Sequence, residues 1–149
     1  MKIALTCPAS LPATQFGGIM FLCIHIAKKL SNDGHALTIY TTDLDFANTT
    51  TFNKKLPRQE KIGNFFIKRS HVWFSAFLFF INPGMYKQMM NDNNDIIHTV
   101  GIRSFQSFIA AIVSKRKKIP LVISDQGGLT THPDLKKSSF KKKILIELQ

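Results

Sequence analysis

Residues 1–43 read MKIALTCPASLPATQFGGIMFLCIHIAKKLSNDGHALTIYTTD, and their order decides the fold class. Lys2-Ile3-Ala4-Leu5-Thr6 predicts a short apolar strand. Pro8 and Pro12 bracket a loop that ends at Gly17-Gly18. Ile19, Leu22, Cys23, Ile26 and Leu30 then recur at helical spacing, with Lys28, Lys29, Ser31 and Asn32 toward water. Gly34 follows, where a helix needs a left-handed cap. His35 to Thr42 is β-prone through Leu37, Ile39 and Tyr40. This is one βαβ unit with a glycine pair at its strand-to-helix turn. Such a turn places free backbone N–H groups and a helix N-terminus at the carboxyl edge of a parallel sheet. Open α/β sheets bind phosphate-bearing and other polar ligands at that edge.

The same alternation continues. Residues 44–61 are polar, carry Pro57 and read as an irregular connection. Phe65-Phe66-Ile67 predicts a third strand, with Ile62 just before it. Asn82-Pro83-Gly84 marks a break, and Met85 to Met90 predicts a short helix. Asp95 to Val100 reads as a buried parallel strand with Gly101 at its end. Ser104 to Ser114 predicts a helix whose apolar stripe is Phe105, Phe108, Ile109, Ile112 and Val113, ended by a basic run and Pro120. Leu121-Val122-Ile123-Ser124 is a further buried strand, followed by Gln126-Gly127-Gly128. Residues 138–148 resume a helical pattern through Phe140, Ile144, Leu145 and Leu148. The expected fold is α/β: a Rossmann-like parallel sheet with helices on both faces and right-handed crossovers.

The apolar run Val72 to Ile81 is shorter than the about 20 residues that span a bilayer. Its plain reading, and the one favoured, is a buried helix or strand in the sheet's cover. A sharper one is an aromatic patch that dips into a membrane surface. With 149 residues, 44% hydrophobic and 19% charged, the chain is globular and fits one domain. Cys7 and Cys23 make no disulfide framework and read as buried thiols of a reducing, cytoplasmic compartment. No apolar leader follows Lys2. The net charge is +11, clustered at Lys115-Arg116-Lys117-Lys118, Lys136-Lys137 and Lys141-Lys142-Lys143. A solvated basic face is the ordinary explanation, and an anionic membrane surface is the functional one. Nucleic acid is disfavoured, because no recognised nucleic-acid motif accompanies the charge.

Three strand exits should share one sheet edge: Gly17-Gly18, His98 to Arg103, and Ser124-Asp125-Gln126-Gly127-Gly128. Glycine at each lets ligand atoms approach the backbone. Neither G-x-G-x-x-G nor a P-loop pattern is present. Asp43, at the end of the second strand, could hydrogen-bond a ribose, although a capping or turn role is the better expectation. Of His25, His35, His71, His98 and His132, no two have the helical spacing of a metal site. His25 reads as a surface residue and His35 as structural. His98 reads as a hydrogen-bonded structural residue, with a polar or catalytic role at the ligand edge as the alternative. His132 carries no assignment.

Pro12…Gly17-Gly18…Ala27…Leu30…Gly34-His35-Ala36-Leu37-Thr38-Ile39-Tyr40-Thr41-Thr42 resembles the start of a family 4 glycosyltransferase of the GT-B fold. Asp95-Ile96-Ile97-His98-Thr99-Val100-Gly101 resembles the family's D-[IV]-[IV]-H-x-x-G strand, and Ile119 to Leu129 its next strand and loop. The likeness follows the family's order along nearly the whole chain and is weakest over residues 44–94. It implies sugar transfer from a nucleotide-sugar donor to a glycan or lipid-linked acceptor, in a cleft between two Rossmann-like domains. The first domain binds acceptor, and its glycine loop approaches the donor phosphates. The second holds the nucleotide sugar and carries two glutamates spaced E-x7-E. On this resemblance the chain is a single incomplete N-terminal domain ending within a helix at Gln149, without its donor-binding partner and inactive alone.

The implied donor-phosphate and acceptor residues are Gly17, Gly18, His98, Gly101, Arg103, Asp125, Gln126 and Gly127, with no metal and no cofactor beyond the nucleotide-sugar substrate. Gln126 stands where the family usually has a histidine. Glutamine can orient a hydroxyl or phosphate but cannot act as a base near neutral pH, so proton handling would fall elsewhere. Two other readings stay open: a non-catalytic Rossmann-like module for an anionic membrane surface or a partner chain, and an oxidoreductase that lacks its glycine fingerprint.

Overall fold

Alternation along the first strand sets the two faces of the sheet. In the computed structural model, which describes residues 1–46, 51–76 and 79–126, β1 spans Lys2–Thr6. Ile3 and Leu5 point to one face and Ala4 to the other, as a period of two requires. The strands that follow are β2 (Ala36–Thr42), β3 (Leu44–Phe46), β4 (Thr51–Phe52), β5 (Gln59–Ile62), β6 (Phe65–Ser70), β7 (Phe74–Ala76), β8 (Phe79–Ile81), β9 (Ile96–Val100) and β10 (Leu121–Ser124). The helices are α1 (Gly18–Asn32), α2 (Gly84–Asn91) and α3 (Phe105–Lys117).

Six strands form one sheet in the order β10-β9-β1-β2-β6-β5. All its neighbours pair in parallel except β5, which runs antiparallel to β6. On one face α1 buries Met20, Cys23, Ile24 and Ala27 against Ile3, Leu5, Leu37, Ile39, Phe65 and Ile67. On the other, Met85 and Met89 of α2 and Ile109, Ala110 and Val113 of α3 cover Ala4, Tyr40 and Ile97. The chain is therefore an α/β protein with helices on both faces of a mostly parallel sheet. Cys7 and Cys23 are buried free thiols.

The structure corrects the sequence reading at several places. β10, expected to be buried, is the edge strand of the sheet, with Val122 and Ile123 exposed, and Ser31, expected toward water, is buried. Residues 44–61 hold a β3–β4 hairpin and the edge strand β5 rather than an irregular connection alone. A turn signal does precede β6: Gly63-Asn64 separates Ile62 from Phe65, and Gly63 has φ +58°, the left-handed conformation such turns use. The run at 72–81 contains strand rather than helix, in a small sheet of its own, and is only partly buried. It contains an antiparallel pair, β7 with β8, in which Phe80 is buried while Trp73 and Phe74 are 76% and 61% exposed. In α3 the stripe is rotated: Phe108 is exposed, and Gln106 and Ser107 are buried in its place. Polar partners from neighbouring elements outweigh the hydrophobic pattern there. The helix expected at 138–148 lies outside the described residues.

Arg69, near the end of β6, is 1% exposed. Its guanidinium donates to Leu11 O at 2.7 Å, Pro57 O at 3.0 Å and Glu60 Oε2 at 2.7 Å. Hydrogen bonds from a charged group contribute about 1.5–3 kcal/mol each, whereas Glu60 is well hydrated and its charge is screened. Arg69→Met should destabilise the protein by roughly 2–4 kcal/mol in chemical denaturation, and Glu60→Gln by less than about 1 kcal/mol. Equal losses, or the reverse order, would contradict the view that the two carbonyls are what Arg69 holds.

Candidate functional site

All parallel strands deliver their exits to one edge, and the order β10-β9-β1 puts three predicted exits side by side. The first begins at Cys7, whose N–H donates to Tyr40 O at 3.1 Å. Thr42 Oγ1 donates to Pro8 O at 2.7 Å and pins the loop to the β2 exit. A short 3-10 turn at Thr14–Phe16 brings the chain to Gly17, the residue that caps α1. Gly17 sits at φ 91°, ψ −153°, a conformation open essentially to glycine. It has no side chain to cap the helix, and the first turn of α1 has no acidic residue. The first intrahelical bond runs from Phe21 N to Gly17 O, so the amides of Gly18, Ile19 and Met20 are the orphan donors of this helix end.

The second exit faces the first. Gly101 has φ +82°, and a Cβ added to it would lie 4.0 Å from Ile19 Cδ1 in the first turn of α1. A run of hydroxyls fixes this corner. Thr6 Oγ1 bonds Thr99 Oγ1 at 2.8 Å, Thr99 Oγ1 bonds Ser107 Oγ at 2.7 Å, and Ser107 Oγ donates to Gly101 O. Ser104 caps α3 by accepting from Ser107 N at 3.1 Å. The third exit joins through Gly101 N, which donates to Ser124 O at 2.9 Å. Ser124 Oγ lies 2.7 Å from His98 Nε2.

Gly17, Gly18, Gly101 and the Ser124–Gln126 exit thus form one continuous rim. His98 is half-buried one turn of the pleat below it, tied to Ser124. Arg103, Asp125 and Gln126 are exposed along it. Gly127 and Gly128 lie outside the described residues. Among the described residues no group of three His, Cys, Asp or Glu side chains could hold a metal ion.

One constellation has no counterpart in the sequence reading. At the neighbouring exits of β2 and β6, the fully buried carboxylate of Asp43 meets His71 Nδ1 at 2.6 Å and Val72 N at 3.1 Å. Arg58 Nη1 approaches it at 3.3 Å. Asp43 therefore neither binds a ribose in this arrangement nor serves a simple turn: it receives a histidine 28 residues away. Only the β2–β6 pairing brings the two together, and no local pattern announces that.

Burial holds the His98 imidazole below its ordinary pKa of 6.5. The unfolded chain then binds a proton at pH values where the folded one does not, so stability rises with pH through the region below 6.5. Thermal unfolding followed from about pH 7.5 to about pH 5 should show Tm falling more in the wild type than in His98→Gln. Parallel curves would contradict a half-buried His98 that stays neutral in the folded protein.

No family model matches the chain, and no curated protein matches it. Among solved structures it is similar to sucrose-phosphate synthase from Thermosynechococcus elongatus, with a TM-score of 0.55 and 12% identity. The match covers 98% of this chain and 39% of that one. At that identity the likeness concerns fold alone: the chain has a Rossmann-like fold shared with part of that synthase, and it spans under half of that chain's length.

Proposed function

We propose that this chain is the acceptor-side half of a glycosyltransferase that moves a sugar from a nucleotide-sugar donor to a glycan or lipid-linked acceptor. One observation carries the reading: the shared rim in which Gly101 leaves open space facing Ile19 in the first turn of α1 and is bonded to the β10 exit. Orphan amides at a helix N-terminus suit an anionic phosphate. Exposed Arg103 supplies positive charge on the same edge, and Asp125, Gln126 and Gly127 are the residues we assign to hydroxyl contacts. His98 supports Ser124 from below. The donor's remaining contacts, including the E-x7-E pair, would come from a second domain, for which the partial coverage of the synthase leaves room. The nucleotide sugar enters as substrate, and the proposal calls on no metal or further cofactor.

A second element of the reading concerns location. Trp73, Phe74 and Phe108 are exposed, and Phe79 is 40% exposed. Phe79 and Phe105 rings lie 6.1 Å apart, and Phe105 and Phe108 6.4 Å, so these three form one linked aromatic group. Exposed aromatics on a chain of charge +11 fit peripheral contact with an anionic membrane, where a lipid-linked acceptor would sit. No helix among the described residues is long and apolar enough to cross a membrane.

Two measurements check this. Gly18 has ordinary helical geometry, and the space a Cβ would occupy there is open. Gly18→Ala should leave stability unchanged or raise it by up to about 1 kcal/mol, yet lower sugar transfer by the intact protein at least tenfold by placing a methyl group where the donor approaches. Transfer unaffected by Gly18→Ala, or robust turnover by residues 1–149 alone, would refute the half-site reading. In liposome sedimentation, binding to anionic vesicles should weaken with salt and drop in Trp73→Ser/Phe74→Ser. Indifference to anionic lipid would refute the membrane element.

A further inference from the structure

The Asp43–His71 pair lies apart from the glycine rim. A parallel-sheet neighbour is about 4.8 Å away, so the β6 exit is about 10 Å from the β1 exit. Burying a carboxylate is costly unless it is bonded. Asp43 is fully buried and is satisfied by Val72 N–H, His71 and the half-exposed Arg58. An ionised carboxylate can only accept, so the proton it receives is on His71 Nδ1. With the proton on Nδ1, the Nε2 of a neutral imidazole is an acceptor. His71 is 28% exposed, and its Nε2 has no hydrogen-bond partner among the described residues. A buried acid thus orients a surface histidine at the carboxyl edge of the sheet, leaving one directed acceptor open to solvent.

We propose that His71, positioned by Asp43, binds a hydroxyl of the acceptor at a point away from the hydroxyl that receives the sugar. An open acceptor nitrogen calls for a donor, which a sugar hydroxyl supplies and a fully ionised phosphate does not. The offset from the rim means that one sugar ring cannot fill both places, so the acceptor class is an oligosaccharide or an extended glycan. This inference rests on the glycosyl-transfer reading for its ligand but not for its geometry. Asp43 acts through His71 and is a positioning residue.

The test is imidazole-detected ¹H–¹⁵N NMR of the intact protein titrated with a panel of methyl glycosides, disaccharides and trisaccharides. His71 signals, assigned by their loss in His71→Ala, should show protonated Nδ1. They should shift saturably with at least one di- or trisaccharide and more weakly with the matching monosaccharide. His71→Ala should weaken that binding at least tenfold, and His71→Gln, which keeps an acceptor oxygen, by less. Asp43→Asn should weaken it as well; if that variant does not fold, the wild-type tautomer decides the orienting role. His71 protonated on Nε2, silent to the whole panel, or dispensable for binding would overturn the proposal. Oligosaccharide binding through His71 without transfer from any nucleotide-sugar donor would uphold this inference and sink the glycosyl-transfer reading. Transfer with a silent His71 would do the reverse.

Discussion

The guanidinium of Arg69 is the constraint on which the carboxyl edge depends. A positive charge is taken almost entirely out of water, which is tolerable only while its acceptors stay in place. Two of those acceptors are carbonyls of other segments: Leu11 in the first loop and Pro57 ahead of β5. The loop after β1 is therefore held at Pro8 by Thr42 and at Leu11 by Arg69. Between and beside those points Ala9 and Ala13 pack on Leu44, Val72 and Phe80. A long loop fixed in this way delivers Gly17 to the one place from which α1 can begin beside Gly101.

Polar bonds recur wherever elements meet at this edge. Gln106 of α3 donates to Phe80 O and to Asn82 Oδ1, and Asn82 donates to Ser70 Oγ. Thr6, Thr99 and Ser107 bridge β1, β9 and α3. By contrast, the middle of the sheet under α1 is packed mainly by aliphatic side chains. Apolar packing supplies non-directional stability, whereas satisfied hydrogen-bond networks select one geometry. The division fits a sheet whose centre needs only to hold and whose edge must hold a shape.

Much of this is legible in the sequence. The βαβ unit, the later strands and the glycine exits follow from period-two and helical spacing, although β10 turns out to be an edge strand with Val122 and Ile123 exposed, because an apolar run does not record what covers it. The α3 face escapes such a reading because Gln106 and Ser107 are buried by partners on β8, β9 and the 82–83 turn, which no helical periodicity encodes. Trp73 and Phe74 look like core by composition and lie at the surface, since hydrophobicity names what can be buried and not what finds a cover. Asp43 and His71 are the hardest, being joined only by the β2–β6 register. The resemblance to a family 4 glycosyltransferase points to the fold class, and the structural likeness to a sucrose-phosphate synthase is in keeping with that class.

If the exits of β10, β9 and β1 form one ligand rim, a nucleotide sugar binds across all three. Backbone amide NMR of the intact protein, titrated with a panel of nucleoside diphosphate sugars, addresses this most directly. Saturable shifts should concentrate at Gly17, Gly18, Ile19 and Gly101. Binding that moves other amides and leaves these four unchanged would contradict a shared rim.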